Sequence, residues 1–388
     1  ANTLTSIENV TSGAGKDVLT GDGANNIITG NGGGDTLEGG VGDDTFVFAA
    51  GWGVDTLTDA SGNDTVDFTA LTTNLNVVIG SIVVTDGLGN SLTHTGNDIE
   101  LLMLGSGDDT IAISNDAATS VVIDADSGND TLTYVGNTAD RTISLTALGG
   151  TDGFNGIASG IAGFRNVNTV IGGDGSDTLN GLSSGQWSVV NTNTVNYIST
   201  NTLNITGVET LVGGNGGDTL TFANFNTARD VVMTSVGTVD GFDITEANFT
   251  GIFRNINTLI GGTGSDTLNG ANIALTWTIN GTSNQVTDGA KTLAFSAIET
   301  VNGGSAIDTF NINSTPTINL NGGAGDDVFN FAAGSLLTGV IDGQGGSDTF
   351  SYASFNASVT ATLNTIGATD GFNGTASGLN GTFANIDA

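Results

Sequence analysis

The chain has 388 residues, including 62 Gly, and it carries 40 acidic residues against six Lys and Arg, for a formal net charge of −34. Such an acidic chain is a poor partner for nucleic acid or an anionic membrane, and without Cys it has neither disulfides nor thiolate metal sites. Gly and Asp favour turns and disfavour helix interiors, so the composition predicts an all-β protein. No apolar run is long enough to form a transmembrane helix, so we expect no membrane insertion.

Four consecutive nonapeptides occupy residues 12–47: SGAGKDVLT, GDGANNIIT, GNGGGDTLE and GGVGDDTFV. Each has a glycine-rich first half and an apolar eighth position. Their sixth positions are Asp17, Asn26, Asp35 and Asp44, and the second nonapeptide departs from the others at Ala24 and Asn26. The pattern G-G-x-G-x-D-x-U-x, with U apolar, resembles the nonapeptide repeat of RTX (repeats-in-toxin) proteins, which bind calcium.

This resemblance implies a calcium ion between loops two nonapeptides apart on the same edge, which pairs Asp17 with Asp35 and Asn26 with Asp44. The residue types suit the ion, because Gly turns its carbonyl outward in a tight loop and Asp adds a hard oxygen. Calcium takes six to eight oxygen ligands in irregular geometry, whereas magnesium demands an octahedron. The expected metal residues in this block are Gly13, Gly15, Asp17, Asn26, Gly32, Asp35, Gly40, Gly42 and Asp44.

Single glycine loops with the same Asp recur along the rest of the chain. They contain Asp55, Asp64, Asp109, Asp130, Asp177, Asp218, Asp266, Asp308, Asp327 and Asp348. From Asp109 onward the intervals are 21, 47, 41, 48, 42, 19 and 21 residues. These intervals predict coils of about 20–24 residues, some of which lack the loop. Each of these Asp residues is a candidate calcium ligand, and those one coil apart are the better candidates; the alternative is an Asx turn, in which the carboxylate bonds to backbone N–H groups.

A longer unit overlies the loops, because residues 130–181, 218–270 and 348–388 align with one another. We therefore predict a tandem nonapeptide block at 1–48, irregular coils at 49–129 and a long-repeat region at 130–388. The long-repeat region divides into units near 130–217, 218–347 and 348–388. The third unit stops in mid-repeat, and the first residues lack an initiator Met, so we expect either an excised part of a longer protein or completion by another copy.

Short apolar segments rich in Val, Ile, Thr and Phe separate the loops, for example at 75–84, 168–173, 209–214 and 257–262. Such segments, each ended by glycines, predict short strands. Together with a repeated coil they predict a parallel β-solenoid, a β-roll or β-helix with glycine-rich calcium loops. Its core is expected to consist of stacked like residues. These are Leu132, Leu179, Leu220, Leu268, Phe310, Val328 and Phe350, with Trp52, Trp187 and Trp277 packed over the coils.

The sequence offers little for catalysis. His94 is the only histidine and stands in the polar run SLTHTGND, where we expect a surface position. Arg165 and Arg254 occupy the same place in two long units, which favours a structural role. A threonine face for ice or carbohydrate is a further possibility. It would comprise Thr131, Thr178, Thr219, Thr267, Thr309 and Thr349.

These observations predict a secreted, calcium-stabilised structural or adhesive protein of the bacterial cell surface, without enzymatic activity. It would be part of a filament, a surface layer or an adhesin, and it would bind several Ca²⁺ ions. Expected partners are further copies of the chain, joined end to end or laterally, and a cell-surface polysaccharide. The alternative is a calcium-binding repeat appendage of a secreted enzyme or toxin whose catalytic domain lies outside this chain.

Overall fold

The computed structural model describes residues 8–115 and 117–388, so the first seven residues of the predicted N-terminal block lie outside the described part. The described residues form 41 strands and no helix, and therefore no helix that could cross a membrane. The strands are mostly parallel and stack coil upon coil, which confirms the predicted all-β solenoid. Two compact units are present, one up to Leu182 with Tyr197–Glu209 and one of Ser183–Asn196 with Thr210–Ala388. The predicted domain boundaries stay a prediction.

Each unit contains two sheets, A and B, whose strands alternate along the chain. In the first unit, sheet A contains β1 (Asn9–Thr11), β3 (Ile27–Thr29), β5 (Thr45–Val47), β7 (Thr65–Asp67), β11 (Leu101–Met103), β13 (Val122–Asp124), β15 (Thr142–Leu148), β16 (Phe154–Ala158), β17 (Ile161–Val167) and β19 (Thr178–Asn180). Sheet B contains β2 (Val18–Thr20), β4 (Thr36–Glu38), β6 (Val54–Thr58), β8 (Asn76–Ile79), β9 (Ile82–Thr85), β10 (Ser91–His94), β12 (Thr110–Ile113), β14 (Thr131–Thr133), β18 (Thr169–Ile171) and β22 (Thr202–Thr206). The boundary between the units falls within β21 (Thr194–Ile198).

The second unit repeats the two-sheet arrangement. Its sheet A contains β23 (Thr210–Val212), β25 (Asp230–Val236), β26 (Phe242–Glu246), β27 (Ile252–Ile256), β29 (Thr267–Asn269), β33 (Thr300–Gly304), β35 (Asn319–Ala324), β37 (Leu337–Gly345), β39 (Ala361–Ile366), β40 (Phe372–Ala376) and β41 (Leu379–Ile386). Its sheet B contains β20 (Gln186–Val189), β24 (Thr219–Thr221), β28 (Thr258–Ile260), β30 (Thr276–Ile279), β31 (Asn284–Thr287), β32 (Thr292–Ser296), β34 (Thr309–Ile312), β36 (Val328–Phe331) and β38 (Thr349–Ser351).

The coils come in two sizes. Residues paired across simple coils are 18–21 positions apart, as between β1 and β3 or between β12 and β14. In larger coils the partners are 33–42 positions apart, because a three-stranded antiparallel meander is inserted. In β15–β16–β17 the middle strand is antiparallel to both neighbours, while β15 pairs in parallel with β19 and β17 with β13. The expected coil length of about 20–24 residues was therefore wrong for the long intervals, because they contain coils enlarged by a meander.

The core consists of the inward-facing residues of both sheets, because alternate strand residues point to opposite faces. Leu132 packs in line with Ile111 and Val170 on sheet B, whereas Leu179 is aligned with Ile143 on sheet A. The predicted single ladder is thus two ladders on two sheets. In the second unit, Leu220 lies in sheet B and Leu268 in sheet A.

One prediction for the core was wrong by one position, because Phe329 and not Val328 belongs to the ladder. Phe310 pairs with Phe329, which pairs in turn with Phe350, and the ring centroids of Phe310 and Phe329 lie 4.8 Å apart. Val328, predicted for this ladder, precedes Phe329 and so points away from the core. The three tryptophans are buried, as predicted. Side-chain amides of Asn269, Asn302 and Asn321 form a second kind of ladder, on the outside of sheet A.

Candidate metal centres

The motif Asp residues form hydrogen-bonded columns along the edges of the stacked coils. The Oδ1 atom of each motif Asp accepts the N–H of the residue at the aligned position of the preceding coil. The N–H of Asp308 donates to Asp327 at 2.7 Å, and the N–H of Asp327 donates to Asp348 at 2.9 Å. Equivalent bonds run from Asp17 to Asp35, Asp35 to Asp55, Asn26 to Asp44, Asp44 to Asp64, Leu75 to Asp109, Asp109 to Asp130, Arg141 to Asp177, Gly185 to Asp218, Arg229 to Asp266 and Leu275 to Asp308.

The second carboxylate oxygen is buried, and in most loops it has no hydrogen-bond partner in the described part of the chain. This holds for Oδ2 of Asp35, Asp44, Asp55, Asp64, Asp109, Asp130, Asp218, Asp308, Asp327 and Asp348. In two loops Oδ2 is partnered, because Asp177 accepts the N–H of Gly173 at 2.6 Å and Asp266 accepts that of Gly262 at 2.5 Å. A buried anionic oxygen without a partner is costly, so these loops suit a positively charged ligand.

Where the first position of the loop is glycine, the absence of a side chain leaves space for the unpartnered Oδ2 atom next to a backbone carbonyl. A β-carbon built on Gly213 would lie 2.8 Å from Oδ2 of Asp218 and 2.8 Å from the carbonyl oxygen of Asn255 in the next coil. The same crowding occurs at Gly322, next to Asp327 and the carbonyl of Gly343. These two loops therefore bring together a carboxylate oxygen and a carbonyl oxygen around a space that only glycine leaves open.

Burial shifts the ionisation of these carboxyls. Desolvation raises the pKa of four motif carboxyls to about 7, and neighbouring carboxylates add to the rise, whereas the hydrogen bond from the preceding coil opposes it. These four are Asp109, Asp130, Asp308 and Asp327. The same causes raise the pKa of Asp55, Asp218 and Asp348 to about 6. These raised pKa values favour the protonated form of the carboxyls, whereas a bound cation would favour the ionised form.

The structure places the predicted pairs one coil apart, since Asp17 is bonded to Asp35 and Asn26 to Asp44. Among the predicted glycines, Gly40 and Gly42 have positive φ and lie against the carbonyls of Asp22 and Ala24 in the preceding coil. A β-carbon added to Gly13 or Gly15 would have no other atom within 4 Å. A β-carbon added to Gly32 would lie 2.9 Å from the carbonyl oxygen of Gly51. That these residues bind calcium stays a prediction.

The sequence analysis missed several residues that continue the columns. Glu100, Glu209 and Glu299 take the place of the motif Asp and accept the N–H of Asp64, Asp177 and Asp266. Asn168, Asn257 and Asp387 do the same for Asp130, Asp218 and Asp348. The signal was present in the sequence, because E-T-L-V and E-T-V occupy the register of D-T-L, directly before a strand.

A carboxylate cluster follows the tandem nonapeptides. Asp44, Asp59 and Asp64 bring one oxygen each to within 4.8 Å of one another. Asp59 stands where other loops have their first glycine, and its pKa is raised to about 7, mainly by burial and then by Asp64. Three oxygen donors so close together suit a hard divalent cation. Asp59 was not among the predicted ligands.

The other residues singled out in the sequence have structural surroundings. His94 is buried, with Nδ1 3.1 Å from the carbonyl oxygen of Leu57 and Nε2 2.8 Å from Asp98, so the predicted surface position was wrong. Arg165 and Arg254 approach Asp124 and Asp243 at 3.6 and 3.0 Å. The motif threonines divide between sheets A and B and so form no single face.

All the donors described are oxygens, as calcium requires, and a bound ion would supply the positive charge that the Oδ2 atoms lack. A family model, the RTX calcium-binding nonapeptide repeat, matches the chain in four copies, at residues 11–46, 163–184, 254–272 and 319–335. These stretches cover about a quarter of the chain and contain Asp17, Asp35, Asp44, Asp177, Asp266 and Asp327. No curated protein matches the chain. The chain therefore contains RTX calcium-binding nonapeptide repeats, as its sequence predicted.

Proposed function

We propose that this chain is a secreted structural or adhesive repeat protein of the bacterial cell surface, which becomes rigid when it binds calcium and performs no catalysis. The observation that carries the proposal is the column of buried motif carboxylates whose Oδ2 atoms lack a partner. A fold with such columns is stable only where a divalent cation is abundant, because binding free energy then adds to folding free energy. RTX repeat proteins are generally secreted, and calcium is far more abundant outside cells than in the cytosol.

The described residues offer scaffolding rather than reactive groups. The single histidine is buried against Leu57 and Asp98 and is not presented to a substrate. Arg141 and Arg229 are buried too, the first against Asn115 and Asn137 and the second against Glu246. These contacts support a mechanical role, in which the stacked coils act as a stiff spacer.

Strand β39 supports assembly through a second copy of the chain. In the two earlier long units the equivalent strands β15 and β25 each pair with a parallel strand of the next coil. Strand β39 pairs only with β40 among the described strands, and Leu363 and Ile366 on it are 58% and 78% exposed. An exposed strand edge with apolar side chains is a template for pairing. We propose that a further strand covers it, from a second copy of the chain or from a longer form of the same chain, with a cell-surface polysaccharide as a further partner.

The proposal predicts filaments or sheets that depend on calcium. Purified chain is first stripped of metal and then supplied with millimolar calcium. Circular dichroism should show strand content appear, and electron microscopy should show assemblies that dissolve in chelator. Charged residues at β39, in the variant Leu363→Lys/Ile366→Lys, should leave the calcium-induced spectrum intact and abolish assembly. A chain that folds with calcium but stays monomeric favours the appendage of a secreted enzyme or toxin, and a spectrum indifferent to calcium contradicts the proposal.

A further inference from the structure

Three meanders of sheet A share one five-residue turn, G-x-x-D-G, at residues 149–153, 237–241 and 367–371. In each turn the N–H of the first glycine donates to the carbonyl of the last glycine, at 3.0, 3.1 and 3.0 Å. An asparagine of the following strand, with positive φ, accepts the N–H of the third turn residue through Oδ1 at 3.1 Å. These asparagines are Asn166, Asn255 and Asn385. The turns are therefore held in the same position in all three units.

The side chain of the aspartate in this turn makes a hydrogen bond outside its own hairpin, to the glycine loop that precedes it in the chain. Its Oδ2 accepts the N–H of a loop glycine 24 residues earlier, at 3.2, 3.0 and 3.1 Å. The pairs are Gly128 with Asp152, Gly216 with Asp240, and Gly346 with Asp370. The other oxygen, Oδ1, is buried in all three turns and has no partner among the described residues.

The motif Asp of that loop lies two residues after the same glycine and also has an unpartnered oxygen. Asp130, Asp218 and Asp348 are 0% exposed, and the Oδ2 atom of each lacks a hydrogen-bond partner in the described chain. The turn and loop carboxylates are close enough to repel each other in all three places. In the third place Asp348, Asp370 and Asp387 bring oxygens within 4.8 Å of one another.

Two other Asp–Gly turns show what happens when no such partner is needed. Asp86 and Asp288 lie in turns of sheet B and, like the three turn aspartates of sheet A, each is followed by Gly. Asp86 accepts the N–H of Leu88 at 2.8 Å and the side-chain amide of Asn90 at 2.6 Å. Asp288 accepts the N–H groups of Ala290 and Lys291 at 2.9 and 2.7 Å. An Asp–Gly turn can thus satisfy its carboxylate locally, whereas the Oδ1 atoms of the sheet A turns have no partner among the described residues.

We propose that each of the three sheet A turns closes a divalent-cation site of its own, with one carboxylate from the turn and one from the glycine loop. The pairs are Asp152 with Asp130, Asp240 with Asp218, and Asp370 with Asp348. Calcium suits these sites because it accepts oxygen ligands in irregular geometry, whereas magnesium demands a nearly ideal octahedron. These loops lie outside the stretches matched by the nonapeptide repeat model, and the turn aspartates are not part of the repeat motif, so they would be ligands that the repeat itself does not supply. A bound ion would clamp the inserted meander to the coil.

The third site differs from the others in charge. Asp387 stands where the first two units have Asn168 and Asn257, and it adds a third carboxylate to Asp348 and Asp370. Because calcium affinity rises with the number of charged ligands, this site binds most tightly of the three. The substitution Asp387→Asn converts it to the type of the other two and should weaken calcium binding there on the order of tenfold.

The test counts bound ions by native mass spectrometry of the full chain, titrated with calcium chloride alone. The triple variant Asp152→Asn/Asp240→Asn/Asp370→Asn keeps the acceptor for each loop glycine and removes the charge. It should bind three fewer ions than the wild type at saturation. The matched control Asp86→Asn/Asp288→Asn removes charges from the two locally satisfied turns and should bind as many ions as the wild type.

The outcomes separate this inference from the proposed function. Equal ion counts in the wild type and the triple variant overturn the hairpin sites and leave the repeat sites standing. A wild type that binds no calcium overturns both. Should circular dichroism show that the triple variant does not fold, the single variant Asp370→Asn replaces it. That variant should lose one ion, and an unchanged count overturns the proposal.

Discussion

Replacing Asp327 with Asn should stabilise the folded protein in the absence of calcium and destabilise it in the presence of calcium. In the metal-free protein the ionised carboxylate is unfavourable, because burial, and then the charges of Asp348 and Asp326, raise its pKa from 3.8 to about 7. Such a shift corresponds to about 4 kcal/mol between the two protonation states. The loop borders water, which screens the charge, so about 1–3 kcal/mol is the expected stabilisation by a neutral amide at about pH 8. The amide oxygen can still accept the N–H of Asp308.

With calcium present the same substitution removes a ligand. An ion held at a hundred times its dissociation constant contributes about 2.7 kcal/mol, so losing it should destabilise the variant by roughly that amount. Urea unfolding is followed by tryptophan fluorescence, which reports on the core because the three tryptophans are buried. The midpoint should rise in metal-free buffer and fall in calcium. Asp326→Asn, which removes an exposed charge one residue away, should move neither midpoint much. A fall of the Asp327→Asn midpoint in both buffers would refute the reasoning.

Four further predictions concern the loops and the core. Metal-free protein should lose stability as pH rises from about 4 to 7, because the raised pKa values of the loop carboxyls mean that the folded state binds more protons than the unfolded state. Each carboxyl contributes up to about 1.4 kcal/mol per pH unit. Urea midpoints that rise over this pH range would instead show that the carboxylates are stabilised as anions. Calcium-saturated protein should lose stability as pH falls, since protons compete with the ion, and a parallel titration in calcium checks this. Phe329→Ala should cost about 3–5 kcal/mol by opening a cavity, whereas Val328→Ala, on the outer face, should cost much less; equal losses in a urea titration would contradict the assigned register. Gly213→Ala should lower calcium affinity by calorimetry, because its β-carbon would meet Oδ2 of Asp218 and a carbonyl, while Gly217→Ala, with open space around it, should bind as the wild type does.

The solenoid was predictable because its signals are local. Each glycine loop ends in an Asp that directly precedes a strand, as at Asp35 and β4, and the apolar eighth position fixes which face is buried. The tandem nonapeptides also define the shortest coil, since Asn9 and Ile27 are paired two nonapeptides apart. Repetition of a local rule is enough to specify a stack, because each coil needs only its neighbours to bury its apolar face.

The meanders were missed because the spacing of the loops does not show whether the strands between them are parallel or antiparallel. The interval from Asp130 to Asp177 was compatible with two plain coils, one without a loop, and with one coil enlarged by β15–β16–β17. The Asp–Gly pair at 152–153 was a hairpin signal that could have separated the two readings. Long-range contacts such as the bond from Gly128 to Asp152 could not be predicted, since they depend on how the meander folds back over the loop.

The columns also explain why the ion must come from solution. Adjacent coils are about 4.8 Å apart, and two ionised carboxylates about 5 Å apart repel by roughly 3 kcal/mol at an effective dielectric constant of 20. The chain has only six Lys and Arg to offset this repulsion. Arg141 and Arg229 donate their backbone N–H groups to Asp177 and Asp266, yet the Arg141 guanidinium bonds to Asn137 and that of Arg229 pairs with Glu246. Because these two cations are directed elsewhere, we expect the stability of the stack to rise with the calcium concentration of the solution.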